Sequence, residues 1–297
     1  MENLSIIVSF ELTLDPFFIP PGAKYPIFIF GIFIYMFAAF CNLTLLLLII
    51  LTKSLHKPMY FILFSLPLND FVGITSMLPK VLSDILTETN NMTMSFSVCI
   101  TQAFFIHVYA VSAVFILAAM AYDRYVAICQ PMRYTTIMTN IHLAKIISLV
   151  WLSNLILMAV LFILLLRLPR CRSFLNHPYC DNPSLLQLVC ADTTINNIYG
   201  LLMTAVSQVC SLGLIMYSYL RILIACFRNK RSDTRSKALQ TCGTHLVVFG
   251  LFECLGLFTI ISYRIKDISI HLRKFIAVAA MILPPTMNPV IYGLRTK

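Results

Sequence analysis

The sequence predicts an all-α membrane protein, a bundle of seven transmembrane helices with its N-terminus outside the cell and its C-terminus in the cytoplasm. Three observations carry this. First, 59% of the 297 residues are hydrophobic and 11% are charged, against about 25% charged in soluble domains. No soluble fold of this size hides so much apolar surface, so lipid is the solvent for much of it. Second, seven stretches run nearly free of charge and are long enough to cross a hydrocarbon core of about 30 Å, which takes about 20 helical residues. Third, the basic residues are divided unevenly between the connecting loops. In a soluble chain the net charge of +10 would suggest nucleic acid; here its location matters more than its sum, and no nucleic-acid partner is expected.

In order, residues 1–24 form an outer N-terminal segment, and the first helix covers about 26–51, between Lys24 and Lys53. The second, about 58–82, carries Asp70 inside it. The third, about 97–129, follows a stretch with no formal charge between Glu88 and Asp123 and closes on "MAYDRYVAIC" (120–129). Lys145 and Arg167 bracket the fourth, about 142–166; Asp192 and Arg221 bracket most of the fifth, about 196–226. The sixth, about 236–263, is interrupted by Glu253, and the seventh covers about 273–293. The longest loop, 167–195, joins the fourth and fifth helices outside as a lid. No repeat, linker or low-complexity tract divides residues 1–297, so one domain is expected. The missing repeat also argues against a transporter.

Sides follow from Lys and Arg. The loops after the first, third and fifth helices and the C-terminus hold 13 of the 22 basic residues, with only Asp123 and Asp233 as acids. That face is cytoplasmic. No basic segment precedes a short apolar one at the N-terminus, so the first helix is the expected insertion signal. The sequons at Asn3 and Asn91 fall outside, as glycosylation requires. A third, at Asn42, lies within the first helix, and Pro183 disqualifies Asn182.

Ten cysteines are present. Cys99, Cys171, Cys180 and Cys190 lie outside, where disulfides form, and four cysteines allow three pairings. The other six read as small buried hydrophobes. No H-E-x-x-H, G-x-G-x-x-G or G-x-x-x-x-G-K motif occurs, so no metal, cofactor or enzymatic chemistry is expected.

Asp123 and Arg124 pose a question at the end of an apolar helix. A charge at the bilayer centre costs about 2.5–3.5 kcal/mol on insertion scales. At the inner helix end it costs less, because Arg124 complements the negative helix terminus and can pair with Asp123. By itself this is equally the reading of an interfacial anchor.

The stretches "LHKPMYFIL" (55–63), "MAYDRYVAICQPMRY" (120–134), "SKALQTCGTHL" (236–246) and "PPTMNPVIYGLRTK" (284–297) resemble, together and in order, the motifs of the olfactory receptor family of rhodopsin-like G-protein-coupled receptors. His107 and Arg264 match positions of its class I, fish-like branch. The resemblance implies a small-molecule odorant as ligand and a stimulatory heterotrimeric G-protein that raises cyclic AMP. It also implies residence in the plasma membrane of an olfactory sensory neuron. It makes Arg124 a switch restrained by Asp123, beside Tyr125, with Tyr292 moving inward and Pro289 supplying the helix break. His245 joins the inner polar cluster. Asn42, Asp70 and Asn288 form a polar network that binds sodium in such receptors, but Ala113 stands where a second carboxylate is usual. Cys99 would pair with Cys180, and Cys171 with Cys190.

For the ligand, the resemblance points to His107 and Arg264 as a carboxylate anchor, walled by Val111, Val114, Leu257 and Ile260. His107 lies about 12 Å below Cys99 at 1.5 Å per helical residue, and Arg264 offers the planar fork that fits a carboxylate. A core histidine and a snorkelling arginine are the plainer readings of the two. Glu253 stands where the family usually has an aromatic residue. It reads as a protonated structural acid, or as the anchor of an amine or amino-acid ligand.

Overall fold

Runs of Leu, Ile, Phe and Ala offer lipid no partner for a backbone N–H or C=O, so the backbone must bond to itself, as helix. The computed structural model describes residues 11–17, 19, 20, 22–87, 92–228, 232–265 and 267–293; the side chains of 232–241, 244 and 245 are outside the described part. The long helices are α1 (Lys24–Leu51), α2 (Pro58–Leu86), α3 (Phe96–Cys129), α5 (Asn140–Leu166), α7 (Thr194–Arg228), α8 (Ser232–Ser262) and α9 (Ile270–Gly293). Two short helices, α4 (Tyr134–Ile137) and α6 (Asn182–Leu186), sit in the loops after α3 and α5. Among the described residues α1, α2, α3, α5, α7 and α9 are long and apolar enough to cross a membrane, and α8 adds the apolar stretch Leu246–Ser262.

Edges shift from the sequence expectation where polar groups pair. Lys80 bonds to Asp84 one turn on, so α2 carries its charges past the expected end at 82 to Leu86. Asp192 Oδ1 accepts from the Thr194 backbone N–H at 2.9 Å, and α7 begins there rather than at 196. Pro284, Pro285 and Pro289 all lie inside α9, which continues to Gly293. Pro289 removes a backbone donor within the helix without ending it.

The helix α3 is the axis of the bundle. It packs against α2, α5, α7 and α8, and its buried face runs from Cys99 to Val126. By contrast α1 turns Phe30, Phe33 and Phe40 outward, each more than 60% exposed, as lipid contact requires. At Gly73 a Cβ would meet the Tyr109 ring at 2.3 Å, so only glycine lets α2 approach α3 where that ring is buried.

A small sheet caps the outer end. Its central strand β1 (Glu11–Leu14) pairs antiparallel with β2 (Met92–Ser95), Glu11 opposite Ser95, and parallel with β3 (Phe174–Leu175), Thr13 opposite Phe174. Leu12 and Leu14 are fully buried beneath it. Lys274, buried in α9, reaches the Asp15 carboxylate at 2.6 Å and the Pro16 carbonyl at 3.0 Å. The N-terminal segment is thus tied to the top of α9.

Candidate functional site

A cavity of about 480 Å³ opens between α3, α7, α8 and α9 below the lid, a volume within the ordinary range of small-molecule sites. The helical repeat explains its walls. On α8 the lining residues include Phe252, Glu253, Gly256, Ile260, Tyr263 and Arg264. At ~100° per residue they form one stripe with Glu253 and Arg264 near one edge. Leu257 falls just beyond that edge and is not in the lining, which corrects its expected place in the ligand set. His107, Val111, Val114, Glu253, Ile260 and Arg264 do line the cavity.

The wall on α7 is polar. Asn196, Gly200, Thr204 and Gln208 recur every four residues and line the cavity with Ser207 beside them. Sequence reading passed over this row. Its signal was available: polar or small residues at helical spacing in an apolar span. Asp181 and Tyr263 also line the cavity, and only the folded lid brings them together.

His107 donates through Nδ1 to the Ala103 carbonyl at 2.8 Å, because a carbonyl can only accept. The neutral ring therefore turns a lone pair, at Nε2, to whatever it meets next. Its edge rests against Phe162, with centroids 5.8 Å apart. Arg264 is exposed at the rim. Of the other basic residues on the outer side, Lys274 is occupied by Asp15, Arg170 lies over the Phe96 ring at 3.5 Å, and Arg273 lies over Tyr263 at 5.3 Å. Lys266 lies outside the described residues.

The lid is fixed at several points. Cys99 bonds to Cys180 with 5.4 Å between Cα atoms, and Cys171 to Cys190 with 5.8 Å. The Cys180 N–H donates to Gln102 Oε1 at 2.8 Å, and Tyr263 donates its hydroxyl to Asp181 Oδ2 at 2.5 Å. Asp181 Oδ1 accepts from the Ser184 N–H, capping α6. Burial pushes the pKa of His177, in the lid, below its ordinary value.

At the inner end Arg124 Nη2 lies 3.0 Å from Asp123 Oδ2, and the Tyr134 hydroxyl donates to Asp123 Oδ1 at 2.8 Å. Asp123 is fully buried, with Arg124 a quarter exposed. Tyr125 accepts from Gln130 at 3.2 Å and stands edge-on to Tyr217. Tyr292 packs against the same inner core. Midway, Asn288 donates to Asp70 Oδ2 at 2.9 Å, while Asn42 donates to the Ala38 and Pro285 carbonyls and not to Asp70. The His245 side chain, and Asn3 and Asn91, lie outside the described residues.

The sequence matches the olfactory receptor family model over residues 31–297. Olfactory receptor 52B2 of Homo sapiens is 38% identical over 267 residues, 89% of this chain and 82% of that one. Olfactory receptor 8G17 of Mus musculus is 34% identical over 293 residues, 97% and 95% of the two. The crystal structure of squid rhodopsin superposes with a TM-score of 0.72, covering 93% of this chain and 82% of that one at 15% identity, a likeness of fold alone. The chain belongs to the olfactory receptor family: it is a multi-pass membrane receptor of the G-protein-coupled class, not an enzyme.

Proposed function

We propose that the chain binds a small odorant in the cavity below the lid and activates a stimulatory heterotrimeric G-protein, raising cyclic AMP at the plasma membrane of an olfactory sensory neuron. The observation that carries this is one helix with two ends. α3 lends His107, Val111 and Val114 to the cavity and ends inside on the Asp123–Arg124 pair. A ligand shifts the receptor toward its active state only by its difference in affinity for the two states. The test is a cyclic AMP reporter in transfected cells challenged with matched small acids, amines and neutral odorants. Silence to every ligand at full surface expression would count against the reading.

On this reading Arg124 is the switch, Asp123 restrains it, and Tyr292 and His245 belong to the inner cluster that rearranges around it. Asn288 joins Asp70 in a polar network that adjusts between states. Tyr134 holds the carboxylate oxygen of Asp123 that the guanidinium does not. Tyr134→Phe removes one hydrogen bond, worth about 0.5–1.5 kcal/mol, and is expected to raise ligand-free signalling by about 2- to 13-fold. Basal cyclic AMP equal to wild type at matched surface density would remove Tyr134 from the restraint.

The carboxylate reading is carried by Arg264 at the rim. An acid meeting it gains a charge-assisted bond, and losing such a bond costs about 1.5–3 kcal/mol. Arg264→Ala is expected to weaken responses to acids by roughly 10- to 150-fold and leave neutral ligands nearly unchanged. Equal dose–response curves for acids in the two proteins would sink the Arg264 anchor. His107 contributes to this site only when protonated, since its neutral ring has no donor left for a carboxylate.

A further inference from the structure

Along α7 and α8 the cavity wall holds buried polar atoms for which the described residues provide no hydrogen-bond partner: both carboxyl oxygens of Glu253, Gln208 Oε1, Ser207 Oγ and, at the outer end of α7, both amide atoms of Asn196. All four side chains line the cavity. Glu253 is 5% exposed, Ser207 4% and Asn196 fully buried. Gln208 is the polar neighbour of Glu253 but makes no well-formed bond to it. A buried carboxyl group with no partner costs several kcal/mol, and such groups are kept paired.

We infer that Glu253, with Gln208 and Ser207, forms a subsite for the primary ammonium group of a small amine ligand. The inference rests on the receptor reading above and names a ligand class for its cavity. Glu253 and Gln208 present oxygens that accept, and Ser207 can accept as well. His107 adds a lone pair at Nε2. Most of the unpartnered atoms are acceptors, and an ammonium carries three donors. Charge points the same way. Among the described lining residues Asp181, Glu253 and Arg264 are the ionisable acids and bases besides His107 and the tyrosines. Arg264 is eleven residues along α8 from Glu253, about 16 Å at 1.5 Å per residue, and Asp181 is occupied by Tyr263 and Ser184. Glu253 therefore has no cationic neighbour in the wall, and a cationic head supplies one. A carboxylate placed there would face a like charge. The walls around the subsite suit an apolar tail: Ile106, Val111, Val114, Phe252 and Met281 all line the cavity.

The experiment compares primary amines, alcohols and carboxylic acids built on the same butyl, hexyl, octyl and phenethyl skeletons. Two readouts are used: cyclic AMP in transfected cells, and the thermal melting of purified, detergent-solubilised receptor. The amines are expected to act at concentrations at least 10-fold lower than their matched alcohols. Glu253→Gln, which keeps the shape, is expected to weaken them about 10- to 150-fold while the alcohols shift little. Gln208→Leu is expected to weaken the amines by a smaller factor, which tests the subsite independently should the Glu253 variant express poorly. Amines that raise the melting temperature in a Glu253-dependent way but leave cyclic AMP unchanged would support the subsite and sink the coupling reading. Acids that act while amines are silent in both readouts would overturn the subsite and leave the receptor reading standing. So would amine potency unchanged in Glu253→Gln, or no stabilisation by any amine.

Discussion

Arg124→Ala is expected to leave the receptor at the cell surface, still binding ligand, and to abolish its cyclic AMP response. The two halves of this expectation have separate physical grounds. Arg124 is a quarter exposed at the inner end of α3 but Asp123 is fully buried, so the surface-pair value of about 0–1 kcal/mol is a floor for the cost of removing the guanidinium. Asp123 keeps its bond from the Tyr134 hydroxyl in the variant, so the buried carboxyl is not stranded. Folding should therefore survive. Signalling should not, because on the proposed reading the guanidinium is the group that leaves Asp123 when the inner face opens to the G-protein. Surface labelling and ligand-induced thermal stabilisation measure the first half and the reporter measures the second. A full cyclic AMP response from a well-expressed Arg124→Ala receptor would end the switch assignment.

The bundle was legible because lipid leaves so few options. A charge-free stretch of sufficient length has to be a helix: the interval from Lys24 to Lys53 marks α1 almost to the residue, and Arg167 marks the end of α5, which begins at Asn140, five residues before Lys145. What misled was charge that pairs: the expected end at 82 falls between Lys80 and Asp84, which bond to each other as α2 continues to Leu86. The outer sheet was not legible, since strands of four and two residues pair across segments that no local pattern connects. In the site, His107, Glu253 and Arg264 stood out as polar groups in or beside apolar helices, and all three line the cavity. Leu257 was misplaced because one step of helical phase decides which wall a side chain joins. The polar row on α7 was readable at its four-residue spacing but drew no attention, Asn and Gln carrying no charge to mark them. Two features needed coordinates: the bond that fixes which nitrogen of His107 holds the proton, and the meeting of Tyr263 with Asp181.

Cys99→Ser is expected to remove most of the receptor from the cell surface, and to do so more completely than Cys171→Ser. A disulfide's stabilisation grows with the chain it closes, from about 3 kcal/mol for a 15-residue loop to about 4.7 for 100 residues. Cys99 and Cys180 are 81 residues apart and Cys171 and Cys190 are 19 apart, which ranks the two losses. Position widens the difference. Cys99 and Cys180 are both fully buried, and next to Cys180 the lid makes its bonds to Gln102 and Tyr263. Losing this bridge frees the roof of the cavity, whereas losing the other loosens only a turn within the lid. Cys180→Ser should match Cys99→Ser, and the double variant should be no worse than either, because both remove the same bond. Flow cytometry on an N-terminal tag gives the surface ranking, and mass spectrometry of unreduced peptides gives the connectivity. Peptides joining Cys99 to Cys171 or Cys190, or a Cys171→Ser receptor that suffers more than Cys99→Ser, would contradict this account of the lid.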